Sequence, residues 1–294
     1  MFDSIKEMVG AANESGKPLS ELVIETEVAN SGVPRTEVWD KMKRNLNTMR
    51  QAVTKGETGE GVHSPTGLTG GEAVKIREYR KHHRTLSGDT MMGGAVQAAM
   101  ATSEVNASLG VICATPTAGS AGTLPGVIEA LQERLDLDEA ALIRFLFTAG
   151  GLGLVIANHA GIAGATGGCQ AEVGSASAMG AAAAVEAAGG TPQQSAEALS
   201  IAISNLLGLV CDPIAGLVEI PCVKRNAIGT ANALVAADLA LAGCVSKIPA
   251  DECIMALDKV GKQMPTSLRE TGLGGLAGTP TGQAIKAKIF GHDA

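Results

Sequence analysis

Aromatic residues are almost absent from this 294-residue chain, which contains one Trp, one Tyr and four Phe. Hydrophobic residues still make up 45% of the sequence, so its apolar mass consists of Ala, Val, Ile, Leu and Met. Few bulky rings hold neighbouring backbones apart, and such a composition favours closely packed helices. A chain of this length also buries a large core without a disulfide or a metal.

An excess of positive charge is absent as well, because the formal net charge is −7. Nucleic-acid surfaces need a concentrated basic face, and the single basic cluster, residues 75–84, is typical of a solvated helix face. Tyr79 is its only aromatic residue, so it lacks a stacking platform for bases. We therefore expect no nucleic-acid partner.

Secretion and membrane signals are missing too. No charged N-terminal region followed by an apolar segment is present, so no signal peptide is predicted. The longest run without a formal charge, residues 145–171, turns polar from Asn158 onward. Its apolar part falls short of the roughly 20 residues that span a bilayer. We expect a cytoplasmic protein without a membrane partner, in which the six cysteines are thiols or metal ligands because disulfides are rare there.

The sequence shows no alternating β pattern of useful length and no internal repeat, whereas helical periodicity and small-residue runs recur along it. It predicts an all-α fold: a single compact helical catalytic domain over residues 1–294, with helices of residues 1–55 as scaffold and long Gly/Ser/Thr-rich active-site loops. The longer helices are expected near residues 34–55, 72–83, 90–109, 127–135, 138–158, 171–188, 192–209, 224–243 and 249–263.

Loops rich in glycine and hydroxyl groups interrupt these helices at residues 59–71, 113–126 and 264–275. Hydroxyls and helix-start N–H groups together suit a carboxylate. The same residues also serve as N-caps and turns, and the sequence leaves both interpretations open. The candidate substrate-binding residues are Ser64, Thr66, Thr69, Gly70, Thr117, Gly119 and Ser120.

Three cysteines, Cys169, Cys211 and Cys222, lie beside glycine or proline in loops. Their spacing does not resemble the tight pairs of zinc fingers or ferredoxins, so spacing alone leaves them equally as buried thiols or ligands. Loop positions favour ligands, since thiolates there can turn toward a common point. The other cysteines, Cys113, Cys244 and Cys253, are expected as small fillers.

A general base is harder to place. Among five histidines, His82, His83 and His292 fall on the charged helix or the tail. His63 precedes the first hydroxyl-rich loop and His159 stands ten residues before Cys169. Either could be a structural histidine, and both stay candidates for the base.

Six segments in order carry a resemblance that is more specific than any cysteine pattern. The chain resembles the α subunits of bacterial iron–sulfur-dependent L-serine dehydratases over almost its whole length. The segments are SPTGLTGG (64–71), ATPTAGSAG (114–122), GGCQAEVGS (167–175), CDPIAG (211–216), EIPCVKRN (219–226) and LRETGLGG (268–275).

The resemblance implies an all-helical lyase that converts L-serine to pyruvate and ammonia without pyridoxal phosphate. It implies a 4Fe-4S cluster held by Cys169, Cys211 and Cys222, with one iron open to the substrate hydroxyl. Single-chain relatives carry a further regulatory domain, so a separate β subunit is the expected partner, and self-association stays open. The alternatives are a related lyase acting on L-cysteine or L-threonine, or a non-catalytic cluster-binding or metal-binding subunit.

Overall fold

A computed structural model describes residues 2–291 of the chain. The predicted domain covers residues 1–294, so its first residue and residues 292–294, which include His292, lie outside the described residues. Helices account for nearly all of its regular structure, which confirms the all-α prediction. The helices are α1 (Ile5–Ser15), α2 (Leu19–Ser31), α3 (Arg35–Thr58), α4 (Glu72–His82), α5 (Ala98–Ala107), α6 (Thr123–Leu135), α7 (Glu139–His159), α8 (Gly164–Gly167), α9 (Ser175–Ala187), α10 (Pro192–Leu206), α11 (Cys222–Leu241), α12 (Ala250–Gln263) and α13 (Pro280–Phe290).

Local sequence signals set many of the helix ends. The Asp138 side chain accepts from the Ala141 N–H at the start of α7, and Thr191 forms a capping box with Gln194 at the start of α10. Such caps bond helix-start N–H groups that have no partner inside the helix. Gly16 and Gly59 end α1 and α3 in the left-handed conformation that glycine adopts without strain.

Helix α9 lies at the centre and packs against α6, α7, α10 and α11. All of its residues from Ser175 to Val185 are buried, and most of them are alanine, glycine or serine. A Cβ on Gly180 would lie 3.2 Å from side-chain atoms of Leu124 and Val127 in α6. The small residues therefore let the neighbouring helices approach closely, as the scarcity of aromatics predicts.

Helix α7 is longer and more apolar than we predicted from the uncharged run at residues 145–171. It begins at Glu139 and extends unbroken to His159, so by length and composition it could cross a bilayer. Two thirds of its most apolar window is buried inside the protein, however, as in the core helix of a soluble protein. Gly151 permits its contact with α2, because a Cβ there would lie 2.3 Å from Val23 Cγ2.

Two predicted helices begin with wide π-helical turns, at Thr90–Gln97 before α5 and at Gln170–Gly174 before α9. Periodicity does not reveal such turns, which are rare and often occur at functional sites. Within the described residues, β pairing is limited to isolated bridges, His63 with Gly70 and Cys211 with Arg269. Both bridges lie in segments that the sequence marks as functional loops.

Candidate metal centre and active site

The three predicted ligand cysteines lie close to one another, but the prediction that all three are in loops is wrong for Cys169 and Cys222, which stand at helix starts. Cys169 stands between α8 and the π-helical turn, Cys211 follows α10, and Cys222 is the first residue of α11. Each is almost fully buried, with exposed fractions of 2%, 2% and 7%. Cys169 and Cys211 share a small buried cluster with Val173, and all three thiols are free.

Backbone and amide hydrogen bonds tie the Cys169 segment to the Cys211 segment. The Gln170 N–H donates to the Leu209 carbonyl at 2.9 Å, and the Gln170 side chain accepts from the Gly208 N–H at 2.8 Å. Its amide also donates to the Leu257 carbonyl of α12 at 2.9 Å. Gln170 thus holds two of the cysteine-bearing segments together from a fully buried position.

Cys211 is also paired with the glycine-rich loop that follows α12. Its N–H donates to the Leu268 carbonyl at 2.8 Å, and the Glu270 N–H donates back to the Cys211 carbonyl at 2.7 Å. Glu270 has a φ of 62°, a conformation that residues other than glycine seldom adopt and that is often found at functional sites. This bridge brings the Glu270 side chain to the cysteines.

A buried ion pair joins the Cys211 loop to the start of α11. Arg225 Nη2 lies 2.8 Å from Asp212 Oδ1, with side-chain exposures of 15% and 4%. Arg225 also donates to the Val210 carbonyl at 2.8 Å, and Asp212 Oδ2 accepts from the Leu276 N–H at 2.7 Å. The pair therefore fixes Cys211 relative to Cys222, which lies one helical turn before Arg225.

The thiols strongly resist ionisation without a cation. Burial raises the pKa of Cys169 to about 12, and the nearby Arg225 only partly opposes this. Burial also raises the pKa of Cys222 to about 12, with a contribution from Cys169. For Cys211, burial and the charges of Cys169 and Cys222 raise the pKa still further. A bound metal reverses this balance, because it favours the thiolate form of its ligands.

Three thiols are donors of the type that iron–sulfur clusters use. The described residues contain no group of three or more His, Cys, Asp or Glu side chains arranged for one metal ion. In a cluster, each thiolate binds a different iron, so the sulfurs need not converge on one atom. A Cβ on Gly164 would lie 2.8 Å from Cys211 Sγ, and glycine therefore keeps space open beside this thiol.

The loop of residues 114–122 reaches the cysteine site through Glu172, which the sequence analysis did not single out. The Thr117 hydroxyl donates to Glu172 Oε1 at 2.7 Å, and a Cβ on Gly119 would lie 3.0 Å from both carboxylate oxygens. Burial raises the pKa of Glu172, while the Thr117 bond opposes the shift. Ser120 is fully buried and bonds to the Thr115 carbonyl inside its own loop.

Asn226 attaches the same loop to α11. Its side chain accepts from the Gly122 N–H at 3.0 Å and donates to the carbonyls of Gly119 and Cys222 at 2.8 and 3.0 Å. Asn226 is 2% exposed, and an amide buried this deeply needs such partners. The hydroxyl-rich loop and the Cys222 helix are thereby held in one arrangement.

The loop of residues 64–71 attaches to the site through Glu219. The Thr66 hydroxyl lies 2.9 Å from both carboxylate oxygens of Glu219, which is buried three residues before Cys222. Ser64 bonds inside the loop, where its hydroxyl accepts from the Thr69 N–H at 3.3 Å. Gly70 has a φ of 140°, and a Cβ there would lie 2.6 Å from the Val62 carbonyl oxygen.

The two candidate histidines have different surroundings. His159 ends α7 and its Nε2 lies 2.6 Å from the Asp3 carbonyl oxygen, so it ties α7 to the N-terminal segment. His63 is exposed and lies in the bridge with Gly70, within the loop that Thr66 joins to Glu219. The loop that contains His63 is thus attached, through Glu219, to the segment that precedes Cys222.

The functional residues that sequence reasoning missed all lie within the six quoted segments. These residues stand next to cysteines or hydroxyl-rich loops in the sequence, and they are Glu172, Glu219, Arg225, Asn226 and Glu270. Their positions beside the cysteines could have identified them as candidate site residues. Only the fold shows which of these side chains turn inward.

Comparison with known proteins places this arrangement in a family. A profile of the family described as serine dehydratase alpha chain matches residues 14–277. The chain belongs to this family. A probable L-serine dehydratase alpha chain from Bacillus subtilis (strain 168) is 56% identical over 291 residues, which cover 99% of this chain and 96% of that protein.

Two further members show the range of the family. The L-serine dehydratase alpha chain of Peptoniphilus asaccharolyticus is 46% identical, over 97% of each chain. An L-serine dehydratase of Streptomyces coelicolor (strain ATCC BAA-471 / A3(2) / M145) is 36% identical over 94% of this chain but only 60% of its own length. The resemblance carried by the six segments is therefore confirmed.

Proposed function

We propose that this protein is a lyase that deaminates L-serine to pyruvate and ammonia by β-elimination of water. The convergence of three buried cysteines, in a chain whose relatives at 56% and 46% identity are named for this activity, carries the proposal. The elimination removes the α-proton and the β-hydroxyl of L-serine. The resulting 2-aminoacrylate tautomerises and hydrolyses to pyruvate and ammonia.

Cys169, Cys211 and Cys222 would hold a 4Fe-4S cluster. When bound, such a cluster supplies an iron without a protein ligand, which acts as a Lewis acid toward a hydroxyl group. The observations that support this cofactor are the mutual proximity of the thiols and the space that Gly164 leaves beside Cys211. Arg225 and Gln170 would keep the thiol-bearing segments in register.

The two hydroxyl-rich loops would bind and orient the substrate. Thr117 and Gly119 contact Glu172, and Thr66 contacts Glu219, so both loops border the cysteine site. We assign the substrate carboxylate to these loops, with Ser64, Thr69, Gly70 and Ser120 shaping them.

His63 is our candidate for the base that removes the α-proton. Its loop is joined to Glu219, whereas the ring of His159 is bonded to the Asp3 backbone at the C-terminal end of α7. A base must reach its proton directly or through one water. Replacement of His63 by Gln should therefore lower kcat more than replacement of His159.

A separate β subunit is the proposed partner. Relatives that match this chain over nearly their whole length are named alpha chains, and the longer Streptomyces coelicolor protein extends well beyond the matched part. The additional part of such longer relatives would correspond to a separate polypeptide here.

One experiment tests the proposed function. The chain is purified without oxygen, with and without a co-expressed β subunit, and its iron, sulfide and visible absorption are measured together with pyruvate formation from L-serine. We expect an iron–sulfur absorption band and pyruvate release, with L-threonine and L-cysteine as weaker substrates. A protein that holds zinc or no metal, or a loaded cluster without turnover of any of the three amino acids, would contradict the proposal.

A further inference from the structure

A groove that takes no part in the cysteine site lies between the C-terminal ends of α6, α9 and α11. Its volume is about 570 Å³, and residues 87–91 form one of its sides. Most of the side chains that line it are apolar, among them Met91, Leu131, Leu135, Leu234, Ala237 and Leu241. An open apolar surface of this kind marks a place where another molecule binds.

Leu86 stands at the edge of this groove, directly before the segment that forms its side. It is fully exposed, more than any other large apolar side chain in the part of the chain that the structure describes. Hydrogen bonds fix the backbone around it, because the Thr85 hydroxyl donates to Asp89 Oδ1 at 3.1 Å. The Thr90 hydroxyl then donates to Glu133 Oε1 of α6, also at 3.1 Å. The turn therefore presents a protruding leucine beside an open apolar groove.

Opposite charges accompany the leucine and the groove. The segment before Leu86 is basic and exposed, with Lys81, His82, His83 and Arg84. The groove side is mainly acidic, because Asp89 and Asp238 line it, Asp136 follows its wall, and Arg134 is its one cationic lining residue. Within residues 2–291, none of these charged side chains except Lys81 forms an ion pair. The basic segment and the acidic rim are thus complementary to each other.

We propose that this face is the interface between two copies of the chain, in which Leu86 of each copy fills the groove of the other. A two-fold axis beside the turn exchanges the protruding and the receiving parts, so that the same contact forms twice. The basic segment of each copy then lies against the acidic rim of the other. A different partner would need only one of these two complementary parts, whereas an isologous dimer needs both on one surface.

The first test is the oligomeric state of the full chain, purified without oxygen and followed by sedimentation velocity over micromolar concentrations. We expect a dimer. Leu86→Asp should raise its dissociation constant about 100-fold or more, because a carboxylate would enter an apolar groove. Leu109→Asp is the matched control: Leu109 is also highly exposed, does not line the groove, and has a φ of 61° that Asp tolerates. It should leave the dissociation constant unchanged.

A second test shows whether Leu86 of one copy meets the groove of the other. Cys244 is exposed, so the background is Cys244→Ser. One preparation also carries Leu86→Cys and another carries Leu135→Cys, at an exposed position of the groove wall. We expect a short bis-maleimide to link the mixed preparations into a covalent dimer faster than it links either preparation alone.

Several results would overturn the proposal: a chain that is monomeric at every concentration, a dimer that Leu86→Asp leaves intact, or an equal loss in Leu109→Asp. A monomeric chain in which Leu86→Asp instead weakens binding of a β subunit would assign this face to that subunit and overturn the second-copy interface as well. Neither test measures turnover, so a failure of the proposed function is observed separately, in the pyruvate assay.

Discussion

The layer of small residues around α9 and the cysteine-lined end of the molecule are both buried, but they are built in opposite ways. Around α9, small residues bring α6, α7, α10 and α11 together, and the carboxylate of Glu186 near the end of α9 accepts from the Thr148 hydroxyl of α7. At the cysteine end, three thiols, the carboxylate of Glu172 and a buried ion pair lie at a similar depth.

The two regions differ in how burial changes the free energy of folding. Burying apolar side chains around α9 stabilises the fold, at about 25 cal/mol per Å² of apolar surface. Burying thiols and carboxylates costs free energy unless they are paired, as the raised pKa values of Cys169, Cys222 and Glu172 show. The first region is complete in the chain alone, whereas the second is the region that we propose binds a cofactor and a substrate.

The largest effect is expected for substitutions that disrupt the cysteine region alone. Cys169→Ser, Cys211→Ser and Cys222→Ser should each remove the cluster and lower pyruvate formation by more than about 100-fold, since a direct ligand outweighs the 10- to 100-fold of an outer-shell partner. Iron analysis and the pyruvate assay measure both losses. Cys244→Ser is the control, because Cys244 is exposed and should leave both unchanged. Full activity in any of the three variants would remove that cysteine from the ligand set.

A truncation in the helical core should have the reverse profile. Phe145 is 2% exposed within the main hydrophobic cluster, so Phe145→Ala should lower the free energy of unfolding by about 3–5 kcal/mol. Urea unfolding measures this loss. Iron content per folded molecule should stay at the wild-type level, and a parallel loss of iron would show that the two regions are not energetically separate.

Breaking the buried ion pair should produce an intermediate effect. Asp212→Asn leaves Arg225 buried without a carboxylate and frees the Cys211 loop, so we expect iron affinity to fall about 10- to 100-fold. Competition with an iron chelator measures this affinity. The control is Lys224→Gln, which removes the ion pair with Glu72 at an exposed position of the same helix and should change stability by less than about 1 kcal/mol.

Two adjacent glycines in α7 test how closely α2 packs against this helix. A Cβ on Gly150 meets nothing within 4 Å, so Gly150→Ala should stabilise the protein by about 0.5–1 kcal/mol through higher helix propensity. On Gly151 a Cβ would lie 2.3 Å from Val23 Cγ2, so Gly151→Ala should destabilise it by about 1–3 kcal/mol. Thermal unfolding separates the two, and equal shifts would contradict the close approach of α2.

The smallest effect concerns a carboxylate outside the cysteine site. Burial, assisted by the charge of Glu57, raises the pKa of Glu129 above its ordinary value of 4.5. The stability that neutral Glu129 contributes is therefore complete below that value and is lost as the pH rises through the folded-state pKa. Glu129→Gln should match the wild type near about pH 4 and unfold at a higher temperature near about pH 8. A constant difference at all pH values would contradict the shift.

The sequence by itself determined the helical class, most helix positions, the six functional segments and the family. Periodicity, caps and composition are local properties, so they can be read without knowing which elements meet. It predicted loops for the three cysteines, whereas Cys169 and Cys222 stand at helix starts, and spacing could not distinguish ligands from buried thiols.

Only the tertiary structure decided which side chains share the site. Glu172 and Glu270 lie almost one hundred residues apart, and their approach depends on a π-helical turn and on the pairing of Cys211 with residues 268–270. Likewise, Thr117 meets Glu172 and Thr66 meets Glu219 through contacts between distant segments. Such contacts follow from how the helices pack around α9, and no local pattern encodes them.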